Sequence, residues 1–210
     1  MIRALIADDH AIVRRGLMEI LKEEIPDITF AEAVTAQQAF SLAKKQTWDI
    51  AILDISMPGP SGLDILTDLK KIRPDLPILY LSVHPEEQFA KRAIRMGAAG
   101  YLTKDAVSEE LVVAVRKLLG GGRYLNLKFM EKLAMEASTG YRQSNHEELS
   151  TREFQVLRMV ASGKGVKEVA DELKLSVKTV STYRARILVK LGLKSTAEAI
   201  RYAIQHELID

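Results

Sequence analysis

The first 120 residues alternate short apolar runs with longer stretches in which apolar residues recur every three or four positions. "IRALIA" (2–7) is such a run, and 11–24 follows with Val13, Leu17, Ile20 and Leu21 at helical spacing. "ITFAEAV" (28–34) predicts a strand and 36–46 a helix. "DIAILDI" (49–55) is almost continuously apolar, the pattern of a central strand covered on both faces. A turn at "MPGPSG" leads to a helix over 62–72, then strand "PILYLS" (77–82), helix 85–96, strand "GYLT" (100–103) and helix 107–119. Five strand–helix units in succession predict an α/β fold, a doubly wound five-stranded parallel sheet with right-handed crossovers.

"GGG" (120–122) ends that rhythm. A short amphipathic helix is expected over 126–137, followed by the polar stretch "STGYRQSNHEE" (138–148). From Leu149 onward the pattern is helical throughout, over 151–162, 166–173, 177–191 and 195–207. The chain therefore divides into an α/β domain (1–122), a linker with a short helix (123–148) and a second, all-α domain (149–210).

Composition narrows the chemistry. Apolar residues make up 47% and charged residues 28%, ordinary for a globular protein. The absence of cysteine excludes disulfides, thiolate nucleophiles and cysteine zinc sites. His10, His84, His146 and His206 are scattered, with no pair at metal-ligand spacing. No apolar run approaches the ~20 residues of a membrane span, and the N-terminus enters a strand without a secretory signal. The expectation is a cytoplasmic protein with no membrane partner. Residues 150–210 carry 11 Lys and Arg against 7 Asp and Glu, a balance of +4 within a net charge of +2. A polyanion would meet this rear part.

In open parallel sheets ligands bind beyond the carboxyl ends of the strands. There the pattern places Asp8 and Asp9 after the first strand, Asp54 at the end of the third, Ser82 at the end of the fourth and Lys104 after the fifth. Clustered carboxylates repel one another unless a cation neutralises them. An all-oxygen set suits a hard divalent ion, Mg²⁺ retaining several waters. Such a site lets one carboxylate attack a phosphoryl group while the ion and Lys104 absorb charge. Asp54 is the expected nucleophile, Asp8 and Asp9 the metal-organising acids, and Ser82 a donor to phosphoryl oxygens. Taken singly, Asp9 reads more simply as a helix N-cap; the joint pattern at successive strand ends carries the information. Pro58, Gly59, Pro60 and Gly62 are expected to shape the loop beside the site.

In the rear, "VKEVADEL" has Val166, Val169, Ala170 and Leu173 on one helical face. A brief turn leads to the next helix, with Ser176 placed as its N-cap. Two short helices so joined form a helix-turn-helix, whose second helix normally enters the major groove. At about 100° per residue, Val177, Val180, Ile187, Leu188 and Leu191 share an inner face. Lys178, Thr182, Ala185 and Val189 point outward, with Thr179, Ser181 and Arg186 on the shoulders, and Arg184 falls toward the core. Small groups flanked by cations would let the backbone approach DNA closely. Lys178, Ser181, Thr182 and Arg186 are the candidate base readers, and Ala185 a thymine-methyl contact. Thr179, Tyr183, Lys190 and Lys167 are candidates for phosphates. The competing reading is a four-helix bundle with a charged exterior.

"ADDH", "DIAILDISMPGPSGLD", "LS" and "GAAGYLTK" resemble the receiver domain of two-component response regulators, a flavodoxin-like fold, across 1–119. "LSTREFQVLRMVASGKGVKEVADELKLSVKTVSTYRARILVKLGL" resembles the LuxR-type helix-turn-helix domain across 149–207. Together they resemble the NarL/FixJ family of transcriptional regulators. The resemblance implies Asp54 as phosphoacceptor, Asp8 and Asp9 as Mg²⁺-binding acids, and the Ser56 backbone carbonyl as a further metal ligand. It also implies Ser82 and Lys104 as phosphoryl partners and Tyr101 as an aromatic switch. A sensor histidine kinase, promoter DNA and a homodimer on DNA follow, with RNA polymerase a further candidate partner. Ala197, Ile200, Ala203 and Ile204 are the implied dimer contacts. The chain departs from many relatives at Asp105, where proline is frequent, at Tyr183, where histidine is, and at Ser181, where lysine is.

The implied protein is not an enzyme beyond its own phosphorylation and dephosphorylation. A hydrolase with an aspartyl nucleophile would carry Asp-x-Asp after the first strand, and a dinucleotide-dependent oxidoreductase a glycine-rich turn there; "DDHAIVRRG" offers neither. A DNA-binding regulator whose receiver dimerises constitutively, without phosphorylation, is the remaining alternative.

Overall fold

The computed structural model describes residues 1–57, 63, 65–83, 86–126, 129–131, 134–135, 145–206 and 208–209. The chain forms two compact units, Met1–Tyr141 and Arg142–Asp210. The first is built from β1 (Ile2–Ala7), α1 (Ala11–Glu24), β2 (Ile28–Ala33), α2 (Ala36–Lys45), β3 (Ile50–Asp54), α3 (Leu66–Ile72), β4 (Ile78–Ser82), α4 (Glu86–Arg95), β5 (Gly100–Thr103) and α5 (Val107–Leu119). The sheet order is β2-β1-β3-β4-β5, with every pairing parallel.

This order explains the apolar runs. β3 lies at the centre, and all five residues of β3 and of its neighbour β4 are buried. Each fully buried Ile or Leu there contributes roughly 1.5–3 kcal/mol relative to exposure. Leu17 and Leu21 of α1 and Leu111, Ala114, Val115 and Leu118 of α5 pack on one face with Ala4, Ile6, Ile50, Ile52, Leu79, Leu81 and Leu102. Because side chains alternate along a strand, Tyr101 points to the opposite face from Leu102.

Order 2-1-3-4-5 has its topological switch point between β1 and β3, where a ligand crevice opens at the carboxyl ends. Asp8 follows one of those strands and Asp54 closes the other. After α5 the chain returns along the free edge of β5, where Tyr124 forms a parallel bridge with Gly100.

The second unit contains α6 (Thr151–Ala161), α7 (Val166–Glu172), α8 (Val177–Leu191) and α9 (Thr196–Gln205). Its helix starts follow side-chain chemistry. Ser150 and Glu153 form a reciprocal capping box on α6, Ser176 accepts from the Thr179 amide on α8, and Ser195 accepts from the Glu198 amide on α9. α8 ends on Gly192 in the left-handed region (φ 66°), where a side chain would be strained.

The structure adjusts several expectations. α3 begins at Leu66; the loop residues Pro58, Gly59, Pro60 and Gly62 lie outside the described residues. Of the helix expected over 126–137, residues 129–131 and 134–135 are helical, Asn126 is not, and the others lie outside. Val177, expected on the inner face of α8, is half exposed (50%), because at the first helical position the chain has not yet turned under the bundle. No helix among the described residues is long and apolar enough to cross a membrane.

Candidate functional site

At the switch point, ligand atoms of Asp8, Asp9, His10 and Asp54 all lie within 4.8 Å of one another. Asp8 is held on both sides of its backbone: its amide donates to the Ala33 carbonyl (3.2 Å), and its carbonyl accepts from Arg14 Nη1 (2.9 Å). Arg14, on the buried side of α1, is fixed in turn by Glu32 of β2 (Nε to Oε2 2.7 Å). The Asp8 carboxylate accepts the His10 amide at Oδ1 (2.8 Å) and the Lys104 ammonium at Oδ2 (2.6 Å). His10, not Asp9, occupies the N-cap position of α1, so the single-residue reading of Asp9 as a cap fails. The backbone N–H at the helix entrance is met instead by Asp8.

Asp54 Oδ1 accepts the Ser56 amide (3.2 Å). Its Oδ2 is buried, accepts no hydrogen bond among the described residues and lies 3.2 Å from Lys104 Nζ. Burial pushes the Asp54 carboxyl above its ordinary pKa; Lys104 opposes this and the Asp8 carboxylate adds to it. Burial pulls Lys104 down, but Asp54 and Asp8 outweigh it and hold the ammonium above its ordinary value. Lys104 thus faces a pocket of three carboxylates, and a hard divalent ion fits their oxygen donors.

Ser82 closes β4 next to Asp54's strand and is fully buried. Tyr101 is buried in the middle of β5. Lys104 opens a short 3-10 turn, Lys104–Ala106, and no peptide bond among the described residues is cis, so Asp105 in place of proline gives an ordinary trans link. Arg14 and His10 escaped the sequence reading. Arg14 sits at a position that helical periodicity assigns to no function, and a single histidine beside carboxylates carries no spacing signature. His10 Nδ1 lies 3.0 Å from Asp9 Oδ1 and 3.2 Å from Asp8 Oδ1.

In the second unit, α7 and α8 are joined through residues 173–176, with Lys174 in the left-handed region (φ 54°). Lys178, Thr182, Ala185, Arg186 and Val189 form the exposed face of α8; Thr179, Ser181, Tyr183 and Arg184 are half-buried, and Lys167 of α7 is exposed. The Thr182 hydroxyl donates back to the Lys178 carbonyl (3.0 Å), and the Thr179 hydroxyl meets Ser176 (2.8 Å).

Lys190, a candidate for a phosphate, has protein partners as well. Its ammonium lies 2.6 Å from Glu153 Oε2 and bonds the Glu148 carbonyl (3.4 Å), tying α8 to the start of α6. The reason is that Glu153 is nearly inaccessible (side chain 3% exposed) and requires a counterion. Burial raises the Glu153 pKa, but Lys190 and the Ser150 amide and hydroxyl outweigh it, so the carboxyl is held below its ordinary value. A depressed acid stabilises the fold above the ordinary carboxylate range and loses that contribution as pH falls through its folded value. Hydrogen exchange of α6 and α8 amides is therefore expected to accelerate below that range in the wild type. In Glu153→Gln this acid-dependent component disappears.

Of the implied dimer contacts on α9, Ala197 and Ile204 are exposed and Ile200 is half-buried. Ala203 is fully buried and leaves that set: its small side chain fills the packing of α9 against its own unit.

A sheet with an acidic switch-point pocket, followed by a unit built around a helix-turn-helix, defines a receiver-type regulator. Residues 4–116 match the response regulator receiver domain family, and residues 147–203 match the luxR family of bacterial regulatory proteins. The chain belongs to the NarL/FixJ family of two-component response regulators. It is 35% identical to response regulator GacA of Pseudomonas aeruginosa, over 100% of this chain and 99% of that one. It is likewise 35% identical to response regulator UvrY of Escherichia coli, over 99% and 96%. Among solved structures it is similar to RcsB of Salmonella enterica serovar Typhimurium bound to promoter rprA in the presence of the phosphomimetic BeF₃⁻. That match has a TM-score of 0.61 and 25% identity, over 96% of this chain and 97% of that one. ChrA, a response regulator of a heme-sensing two-component system, is 34% identical with a TM-score of 0.51, over 99% and 98%.

Proposed function

We propose that a sensor histidine kinase transfers a phosphoryl group to Asp54, and that this controls the binding of promoter DNA through α8. The single observation that carries the reading is the buried Asp54 Oδ2, which accepts no hydrogen bond among the described residues and is aimed at Lys104 beside Asp8.

Asp8, Asp9, Asp54 and the Ser56 carbonyl would hold Mg²⁺, which supplies charge neutralisation for phosphoryl oxygens when bound. The chain's own residues do the rest. Lys104 lowers the cost of ionising Asp54 and holds a positive charge where negative charge develops. Asp54 presents Oδ2 as the nucleophile; the O–P bond forms as the donor's bond to phosphorus breaks. Ser82 donates to the transferred group, and Tyr101 shifts the receiver between two conformations. The receiver promotes only its own phosphorylation and dephosphorylation.

On the output side, the small, exposed face of α8 enters the major groove. Lys178, Ser181, Thr182 and Arg186 meet base edges, Ala185 a thymine methyl, and Thr179, Tyr183 and Lys167 the backbone. RcsB, the neighbour above, has been captured as two dimers on two parallel DNAs; by analogy this chain acts as a homodimer in the cytoplasm, with Ala197, Ile200 and Ile204 at the output contact.

The test compares DNA affinity with and without a small-molecule phosphodonor plus Mg²⁺. Wild type is expected to gain about tenfold or more, in the range of ordinary allosteric couplings, and Asp54→Ala to gain nothing. Equal gains in the two proteins would remove the phosphorylation switch.

A further inference from the structure

β5 is the edge strand of the receiver sheet, and it carries Tyr101 in its middle and Lys104 just beyond its end. Its free edge is taken by the first residues after α5. The Tyr101 amide donates to the Tyr124 carbonyl (3.2 Å), and the Tyr124 amide donates to the Ala99 carbonyl (3.0 Å), one bond on each side of Gly100. Gly100 is what allows so close an approach. A Cβ there would stand 3.1 Å from the Tyr124 carbonyl oxygen and 2.9 Å from Leu79 Cδ1. The Tyr124 side chain is anchored to a second element: its hydroxyl donates to Glu110 Oε2 (2.7 Å), and Lys117 Nζ lies 5.9 Å from its ring centroid, both residues on α5.

Backbone hydrogen bonds to Ala99 and Tyr101 and two side-chain contacts on α5 fix Tyr124 to β5 and α5. The same segment begins the connection to the helix-turn-helix unit, so a displacement of β5 against α5 would act on the residues that start it.

We infer that the Arg123–Leu125 segment is a transmission clip, a one-bridge sixth strand that converts a shift of β5 at Tyr101 into a change in the linker leading to the DNA-binding unit. Tyr124 is its positioning residue. The inference rests on the phosphorylation reading given above and assigns the route by which that state leaves the receiver. An equilibrium can be passed on only through an element that differs between the two states. The clip is placed to carry such a difference, because Tyr101's own amide is one of its two backbone donors.

The experiment uses the full chain and has two arms. In the first, amide hydrogen exchange is measured on wild type with and without beryllofluoride and Mg²⁺. The Tyr101 and Tyr124 amides are expected to change protection about tenfold or more; unchanged protection at Tyr124, with changes elsewhere in the receiver, overturns the clip. In the second, Tyr124→Pro removes the donor to Ala99 and both side-chain anchors. It is expected to accept phosphoryl at the wild-type rate within about twofold, but to lose the gain in DNA affinity that phosphorylation gives wild type. Tyr124→Phe keeps the backbone pairing and loses only the hydroxyl bond, and is expected to keep at least half of that gain. If Tyr124→Pro retains the full gain, the clip is overturned while the phosphorylation reading stands. If wild type itself gains nothing, both fall together. Should Tyr124→Pro fail to fold, the exchange arm decides alone.

Discussion

Asp54→Asn is expected to raise the stability of the ion-free protein at neutral pH while leaving it unable to accept phosphoryl. The carboxylate is 2% exposed. Its pKa is elevated chiefly by burial, with Asp8 adding repulsion and Lys104 offsetting only part of this. An acid whose pKa is raised on folding binds its proton more tightly in the folded state. Its destabilising effect is absent below the unfolded pKa, grows as pH rises through the interval up to the folded pKa, and is complete above it. Asparagine keeps the shape and removes the charge. A gain on the order of 1 kcal/mol, the size of an ordinary point-mutation effect, is expected, because Lys104 keeps Asp8 as its partner (2.6 Å) and is not left stranded. Urea denaturation without divalent ions should show the gain at pH 7 and little of it toward pH 4. Mg²⁺ should close the gap, because an ion that binds the folded and not the unfolded chain stabilises it by RT ln(1 + [ion]/Kd), and the variant, with one ligand lost, binds it more weakly. A variant less stable than wild type at pH 7 would mean that the Lys104 pairing outweighs burial.

That result would turn a feature visible in the sequence into a measurable cost. Asp8, Asp54 and Lys104 were legible because a parallel sheet sends the ends of its strands to one rim, so three short apolar runs locate three side chains without knowledge of the contacts. The β1–β3 neighbourhood that makes them a pocket follows from the strand order, which the runs alone do not give. What stayed hidden are contacts between residues whose own periodicity says nothing of each other. Arg14 reaches Asp8 and Glu32 from a helix position that reads as ordinary amphipathic surface. The Lys190–Glu153 pairing is of the same kind, because a helical wheel shows one helix and the buried Glu153 belongs to another. Ala203 shares its spacing with both a core and a dimer face, and only packing tells them apart. The Tyr124 bridge is a single pairing after a glycine-rich turn, too short for any periodic signal.

The same difference between a side chain's wheel position and its partners sets the largest effect expected on the DNA side. Lys178→Ala should lose about 1–3 kcal/mol on a selected operator and flatten preference at one base pair, the signature of a base-edge contact. Lys178 is exposed on the first turn of α8, where a recognition helix meets base edges. Lys167→Ala, on α7, should weaken all sequences evenly and reduce the slope of log K against log salt by about one, as expected for a lost phosphate contact. Lys190→Ala should leave that slope nearly unchanged, because its ammonium already neutralises Glu153. Its cost should appear as a lower melting temperature of the helical unit, since it strands a carboxylate that is only 3% exposed. Fluorescence anisotropy on an in vitro-selected operator and its single-base variants, repeated at several salt concentrations, separates the three. A uniform loss for Lys178→Ala would reassign it to the backbone, and a slope reduced by one for Lys190→Ala would mean that DNA draws its ammonium away from Glu153.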